Sequence, residues 1–588
     1  MLEAKGKSAM PFTPATEDQL LAMKVCAGID ELARHERFAA AEPDLVSAIA
    51  QGIANLAAGE WAPLNRIGDI EGARLESGQV SLPPGFREAY AAYVEQGWNA
   101  IAGPPEFGGQ GLPFTLACNV MENLGTANLS LSLLPMLTVA AIEALGRHGT
   151  EEQKRVWLPK LVTGEWAGTM NLTEPQAGSD VGALRSTAVP IADGPHAGKY
   201  RISGQKIFIT WGEHELTENI VHLVLARLPD APEGSRGISL FLVPKYHLDP
   251  DGSPGARNDL RCVSLEEKLG IHASPTCVMS YGDNGECIGE LIGRENAGLQ
   301  AMFTMMNQAR IHVGSQGVQI AERATQLALA YAAERVQSPR AGAAERRPVA
   351  IIEHPDVRRM LLRMKALTQG ARALLYYTAG QVDRGALTDS AAQARADLLV
   401  PLIKAWGTDI GTEVASLGIQ VHGGAGYIEE AGAAQLYRDA RIAPIYEGTN
   451  GIQAADFVTR KLPMEDGGVL SRLMDEIRRD AGDCRELADL AETCASTGAW
   501  MLREASLDDR LAGSVPFTAM CAVAVAGWQL LRQSQAVESG AAPALAQTKP
   551  VAARFFLSSI VPEAIGLKAS ATAGAGLLYA LDAGKLAG

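Results

Sequence analysis

The sequence predicts an α+β protein: an N-terminal helical domain, a central antiparallel β-barrel or sheet domain, a C-terminal helical bundle and an appended C-terminal helical region. Three observations predict it. Apolar residues recur at helical spacing from Glu17 to about Leu161, as in Leu20, Leu21, Val25, Ile29 and Leu32. At Trp166 the pattern changes to short β-type runs separated by Gly, Asp and Pro. From Asn296 the helical spacing returns and stays. A chain of 588 residues exceeds the size at which single cores stop growing, so several domains are expected. The boundaries divide it into 1–40 (leader and helical arm), 41–164, 165–294, 295–464 and 465–588.

Taken in order, residues before Met10 (MLEAKGKSA) read as a disordered leader. The loop Trp98 to Pro113, WNAIAGPPEFGGQGLP, holds too many Gly and Pro for a helix. It precedes a long apolar helix or helix pair, Phe114 to Gly146, and then EEQKRVWLPKL, an amphipathic helix whose acidic first turn suits the helix dipole. Strand candidates are 166–172, 200–202, 206–211, 219–227, 237–243, 276–281 and 286–292. Strands that follow one another without helices imply antiparallel pairing and no parallel crossover. Leu299, Met302, Phe303, Met306, Arg310 and Val313 share one face of a long helix ending near Arg335, and further helices fall at about 350–382, 388–418 and 448–461. Leu511 to Leu531 carries no charge over about a membrane-spanning length. It contains Ser514, Pro516, Thr518 and Gln529, however, and reads as a buried core helix beginning near Pro516, with no integral membrane segment.

Composition excludes several classes. With 52 basic and 67 acidic side chains the net charge is −15, which repels polyphosphate, and no basic patch offsets it; nucleic-acid binding is not expected. Eight Cys stand singly, without a CxxC pair or a His at ligand spacing. That pattern argues for reduced thiols in a cytoplasmic protein without a metal site or disulfide framework. No charged segment followed by an apolar run opens the chain, so no signal peptide is read.

Three stretches carry chemistry. The β block opens with MNLTEPQAGSDVGALRSTA, in which Thr173 offers a hydroxyl at a strand end and Gly178-Ser179-Asp180 makes a compact turn. Such a turn suits a flavin ring, a phosphate or a thioester tail, or is simply a hydrogen-bonded turn. In KIFITWG, Phe208 and Thr210 at i and i+2 face one side, an aromatic wall beside a hydroxyl that suits a planar heterocycle. QVHGGAGY, from Gln420 to Tyr427, brings Gly423 and Gly424 close to any ligand, but lacks the strand and spacing of a dinucleotide fingerprint. In YRDARIAPIYEGTNGIQ, Glu447 stands between Tyr446 and Gly448, followed by Thr449, Asn450 and Gln453. A lone loop carboxylate is ordinarily just solvated; its company is what distinguishes this one.

The ordered set WNAIAGPPEFGG, GTEEQKRVWLPKLVTGEW, LTEPQAGSDVG, KIFIT, EEKLGIHASPT, NQARIHVGSQGV, QVHGGAGY and YRDARIAPIYEGTNGIQ resembles the acyl-CoA dehydrogenase family of flavoenzymes over about residues 40–460. The length and the extra helices are similar to its long bacterial branch, which includes methylthiopropanoyl-CoA and broad-range fatty acyl-CoA dehydrogenases. The resemblance implies FAD as cofactor, an acyl-CoA substrate dehydrogenated to the trans-2-enoyl-CoA in β-oxidation, and an electron-transfer flavoprotein as acceptor. It implies Glu447 as the base that removes the α-proton. Some relatives carry the base on the long helix, at a position that here is Ala309 and cannot act. The resemblance assigns Leu172, Thr173, Ser179, Phe208 and Thr210 to the flavin ring, with Ser179 also near the thioester. Arg335, Gln420, Gly423 and Gly424 are assigned to the flavin of a neighbouring subunit, Thr449 to a further flavin contact. Asn307, Arg310, Tyr446 and Gly448 are assigned to substrate. A cofactor bridging two chains implies a homo-oligomer, a dimer in preference to a tetramer. Gln337, Ser338, Trp211 and Gly451 depart from the common family pattern. Other readings on the same scaffold are an enzyme specific for 3-methylthiopropanoyl-CoA, an acyl-CoA oxidase, a DNA-associated flavoprotein and a non-catalytic subunit. The acidic 465–588 region disfavours the third of these and Glu447 the last.

Overall fold

A computed structural model describes residues 12–588, so the expected leader lies outside the described residues. The chain forms two compact units. One comprises Asn55–Leu112 and Ala127–Ala309; the other comprises 12–54, Pro113–Thr126 and Arg310–Gly588.

The first unit is built on an eight-stranded sheet. Its order is Leu260–Leu265, Thr276–Tyr281, Tyr200–Thr210, Ile288–Ile292, Ile238–Pro244, Asn219–Arg227 and Trp166–Asn171, and Thr187–Pro190 pairs with both Tyr200–Thr210 and Asn219–Arg227. That last strand closes a ring, because Thr187 bridges Arg227 on one side while 187–190 pair antiparallel with 200–203 on the other. The ring is filled by Ala188, Ile202, Val224, Phe241, Val243 and Tyr281, all buried. Pairing is antiparallel with two exceptions, both against Asn219–Arg227: Trp166–Asn171 runs parallel to it over six residues, and the single Thr187–Arg227 bridge is parallel too. The expectation of purely antiparallel pairing therefore fails at this strand. Alternation of side chains does not encode strand direction, and the excursion from Trp166–Asn171 to Asn219–Arg227 is long enough for the crossover that a parallel pair needs. The two candidates 200–202 and 206–211 are one strand, Tyr200–Thr210, continuous through Gly204. Thr187–Pro190, Leu260–Leu265 and a small Arg74–Glu76/Gln79–Ser81 hairpin had no candidate. The apolar run after the Gly/Pro loop is two helices, of which Phe114–Ala127 belongs almost wholly to the second unit and Leu129–His148, capped by the Asn128 side chain, to the first. Glu151–Thr163 follows, opened by a Thr150/Gln153 capping box.

The second unit is a helical bundle. Its main helices are Pro355–Ala386, Ser390–His422 and most of Gly298–Glu334. The long helix and Ser390–His422 cross backbone to backbone. A Cβ at Gly317 would lie 1.8 Å from the Gly407 carbonyl oxygen, one at Gly314 2.7 Å from that of Ile403, and one at Gly411 2.7 Å from the Gly317 Cα. Glycine on both helices permits this approach, and it is what brings Arg310 and Lys404 to one place. Within the same unit Arg372 is buried among three carboxylates, Asp18 (2.6 Å), Glu122 (2.7 Å) and Glu322 (2.8 Å), and Lys549 of the appended region pairs with Asp18. Burial of so many charges is tolerable because each finds an opposite partner.

The appended region is helical throughout most of its length, including Gly468–Asp480, Arg485–Arg503 and Ser514–Glu538. The last of these starts two residues before Pro516, which sits in the first turn, where a missing N–H costs nothing. By length and composition three helices could cross a membrane; Leu129–His148 and Ser514–Glu538 bury 83% and 78% of their apolar windows within the protein, Lys549–Ala571 only 39%.

Candidate active site

Glu447 lies in the turn between the helices Ala433–Ala440 and Asn450–Asp456. Its φ is +55° and that of Gly448 is +82°, so a non-glycine residue occupies left-handed backbone immediately before a glycine that also needs it. Such a conformation costs free energy and persists only where surrounding contacts fix it. Here they do. The Glu447 carbonyl accepts from Gln453 Nε2 at 3.1 Å and, at a longer 3.4 Å, from Arg310 Nε. Lys404 Nζ donates to the Gly448 carbonyl at 2.6 Å, and the Asn450 amide N–H to the Pro444 carbonyl at 3.0 Å. The Tyr446 hydroxyl donates to Gln316 Oε1, and Thr449 caps the next helix by accepting from the Ile452 amide at 3.2 Å.

The electrostatics suit a base. Loss of water around the Glu447 carboxyl raises its pKa above the ordinary 4.5, while Arg310 and then Lys404 pull it back down. Burial lowers Arg310 and takes Lys404 from 10.5 to about 7. The carboxylate thus sits beside two cations that themselves lose hydration, so each ion depends on its neighbours for solvation.

The first unit holds the other half of the expected set. Leu172 and Thr173 are half-buried and Ser179 is exposed. Their turn is fixed by Glu174, whose buried carboxylate accepts from Lys206 Nζ (2.7 Å), Ser186 Oγ (2.6 Å) and the Arg185 amide (2.7 Å). Lys206 also donates to the Leu172 carbonyl at 3.1 Å. The carboxyl falls to about 2, because the coulombic and hydrogen-bond partners together outweigh desolvation, the largest single effect. Phe208 has φ +60° at a bulge in Tyr200–Thr210, and 58% of it faces outward. Phe208 and Thr210 flank the buried Ile209, Phe208 exposed and Thr210 half-buried, but the bulge with its positive φ interrupts the regular alternation on which the same-face expectation rests. An exposed aromatic ring on an otherwise well-filled sheet, next to a turn with a free-standing serine, fits a planar isoalloxazine ring. Trp211 is different: its indole is fully buried and donates to the Ser130 carbonyl at 3.3 Å, so it belongs to the interior of the unit.

A third group is separate. Arg335, Gln420, Gly423 and Gly424 are all exposed on the helical unit, at the ends of two helices joined by the Tyr331–His422 stack (centroids 4.4 Å). Gly423 has φ +60° at the end of its helix, which favours glycine, and a Cβ at Gly423 or Gly424 would meet nothing among the described residues. Asn307 lies three residues before Arg310 on the long helix and is half-buried; Ala309 is buried. Sequence reasoning missed Lys404, which has no motif of its own, and gave no role to Gln316, although it stands within NQARIHVGSQGV.

A turn-borne carboxylate next to two buried cations in the helical unit and, on the other unit, an outward-facing aromatic ring are features that a flavin-dependent oxidoreductase of acyl thioesters can use. The chain belongs to the acyl-CoA dehydrogenase family: the family's N-terminal, middle and C-terminal domains match residues 48–165, 169–283 and 296–462, and an acetyl-CoA dehydrogenase C-terminal-like domain matches 473–582. FAD is the cofactor of this family. Among relatives, the chain is 49% identical to 3-methylmercaptopropionyl-CoA dehydrogenase of Ruegeria pomeroyi, over 85% of this chain and 88% of that one. It is 33% identical to the broad-specificity linear acyl-CoA dehydrogenase FadE5 of Mycobacterium tuberculosis, over 93% and 95%. Among solved structures, Caenorhabditis elegans ACDH-11 in complex with C11-CoA has the same fold, with a TM-score of 0.77, 20% identity and coverage of 95% and 94%.

Proposed function

We propose that this protein dehydrogenates a short linear acyl-CoA, of the size of 3-methylthiopropanoyl-CoA, at the α,β bond, with Glu447 as the base. The observation that carries the reading is the Glu447 turn: a carboxylate with a raised pKa, held on strained backbone by five hydrogen bonds to residues of its own unit. An α-C–H beside a thioester is weakly acidic, so the transition state needs a base and stabilisation of the enolate oxygen. The Glu447 carboxylate takes the α-proton. Its backbone amide would donate to the enolate oxygen, and the positive φ fixes the direction in which that N–H points. FAD, when bound, would supply the acceptor for the β-hydrogen as hydride, and the product would be the trans-2-enoyl-CoA. Leu172, Thr173, Ser179, Phe208 and Thr210 would hold the flavin ring, with Thr449, whose cap leaves its O–H able to donate, as a further contact. Asn307, Arg310, Tyr446 and Gly448 would line the thioester and pantetheine.

Similarity to the Ruegeria enzyme over most of both chains supports the short sulfur-containing substrate. An electron-transfer flavoprotein as acceptor, a homodimer, a cytoplasmic location and a place in β-oxidation rest on the family resemblance; eight free cysteines accord with a reducing compartment. The test is flavin bleaching by a thioester series from C4 to C18 together with 3-methylthiopropanoyl-CoA. Fastest reduction by the latter or by C4 is expected. No bleaching by any of them overturns the enzyme reading, and a maximum at C12 or longer overturns the substrate.

A further inference from the structure

Lys404 is a fully buried lysine in the middle of an apolar helical stretch, LLVPLIKAWG, where most positions hold hydrocarbon. Among the described residues its ammonium has no carboxylate within salt-bridge distance. It donates instead to the Gly448 carbonyl at 2.6 Å and to Asn450 Oδ1 at 3.0 Å, the first and third residues after Glu447. Asn450 is in turn spent on the same helix, giving its amide protons to the Ala405 carbonyl (3.0 Å), Thr408 Oγ1 (3.0 Å) and Asp409 Oδ1 (2.8 Å). A strained turn is thereby fastened to the Ser390–His422 helix at two points, Gly448 and Asn450. The groups that face this ammonium are Glu447 from the turn, Asp409 from its own helix and Arg310 from the long helix; beyond Arg310 stand Asp456 and Arg460.

A buried ammonium is costly, and the same two hydrogen bonds would be available from a neutral side chain. A cation is informative here because its field acts on the neighbouring carboxylate as well as on the turn. We propose that Lys404 is the positioning residue of the base: it clamps the Gly448–Asn450 segment so that Glu447 presents its carboxylate and amide in one arrangement, and its charge keeps that carboxylate ionised. The proposal rests on Glu447 being the base. Desolvation already pulls Lys404 down to about 7, so the charge is the part most easily lost, and Arg310 alone would then oppose protonation of Glu447.

The test compares K404M, K404Q and K404R with E447Q in the FAD-loaded enzyme, with melting temperature and flavin absorbance confirming fold and cofactor content. K404M is expected to lose 10- to 100-fold in kcat with KM changed less than threefold. The acidic limb of its kcat profile should move to higher pH, because a carboxylate that loses a neighbouring cation becomes harder to ionise. K404Q, which keeps a donor but no charge, should recover part of kcat and none of the limb; K404R should recover the limb. An unmoved limb in K404M and K404Q overturns the proposal while leaving the base assigned. Should K404M not fold, K404Q against K404R decides on the same criterion. Turnover retained in E447Q overturns the base and, with it, the role of Lys404.

Discussion

Glu447 is where chemistry and conformation meet in one residue. With its carboxyl desolvated, the protonated form persists to higher pH than for a solvated glutamate, so activity should rise with pH through a limb above 4.5 as the base ionises. Glu447→Gln is nearly isosteric and keeps the backbone amide, and it should retain FAD and bind acyl-CoA while kcat falls by about 10²- to 10⁴-fold, the usual worth of a positioned base. Stopped-flow flavin reduction measures this directly, and reduction at the wild-type rate would move the base elsewhere. Its identity was legible in the sequence because the motif around it is local. The residues that hold it were not: Lys404 is 43 residues upstream, inside a run that reads as core, and only a helix crossing brings it to the turn. Gln316, which receives the Tyr446 hydroxyl from the long helix, stands within a motif that gave it no role.

The element that makes the site possible is the crossing of Gly298–Glu334 over Ser390–His422. Helix positions and periods were readable from apolar spacing, but glycines within a helical pattern do not announce which other glycines they meet. Gly317→Ala should cost about 1–3 kcal/mol, since overpacking of a tight contact forces backbone shifts. A Cβ there meets a carbonyl oxygen, which cannot step aside as a side chain can. Denaturant unfolding of the variant checks it; stability within a few tenths of wild type would mean the helices are less tightly joined. A second element depends on Asp383, a residue of Pro355–Ala386 whose carboxyl accepts from the Phe114 amide (2.6 Å), the Thr115 amide (3.0 Å) and Thr115 Oγ1 (2.6 Å), capping a helix more than 260 residues upstream. Burial raises this carboxyl from 3.8 to about 6 against those bonds. Because the folded state then holds a proton that the unfolded chain releases, its contribution to stability falls as pH rises from 4 to 6. The melting-temperature difference between wild type and D383N should therefore shrink across that interval and level off above it. A difference that is flat or growing would show the carboxyl already ionised at pH 4.

At the scale of the whole molecule, the order of helical, β and helical blocks was legible because each class has its own period, whereas the parallel strand pair was not, because period carries no direction. What lies beyond a single chain is legible only as a surface that this chain does not explain. Arg335, Gln420, Gly423 and Gly424 share the exposed helix ends with Tyr427, 84% exposed, and Ile428, 53% exposed. If the proposed homo-oligomer forms, these two large apolar side chains next to an arginine and a glycine turn are the surface it would cover. If the cofactor bridges two copies, subunit association and FAD retention are thermodynamically linked, since whatever binds the dimer alone stabilises it by mass action. Tyr427→Asp with Ile428→Asp puts two charges in that surface without touching Glu447 or the Glu174–Lys206 turn. The double variant should elute at half the wild-type mass, keep the helical content of the folded chain and lose most of its yellow colour, and added FAD should restore colour and dimer together. A monomer that holds FAD as tightly as the wild type would show that the flavin is bound within one chain.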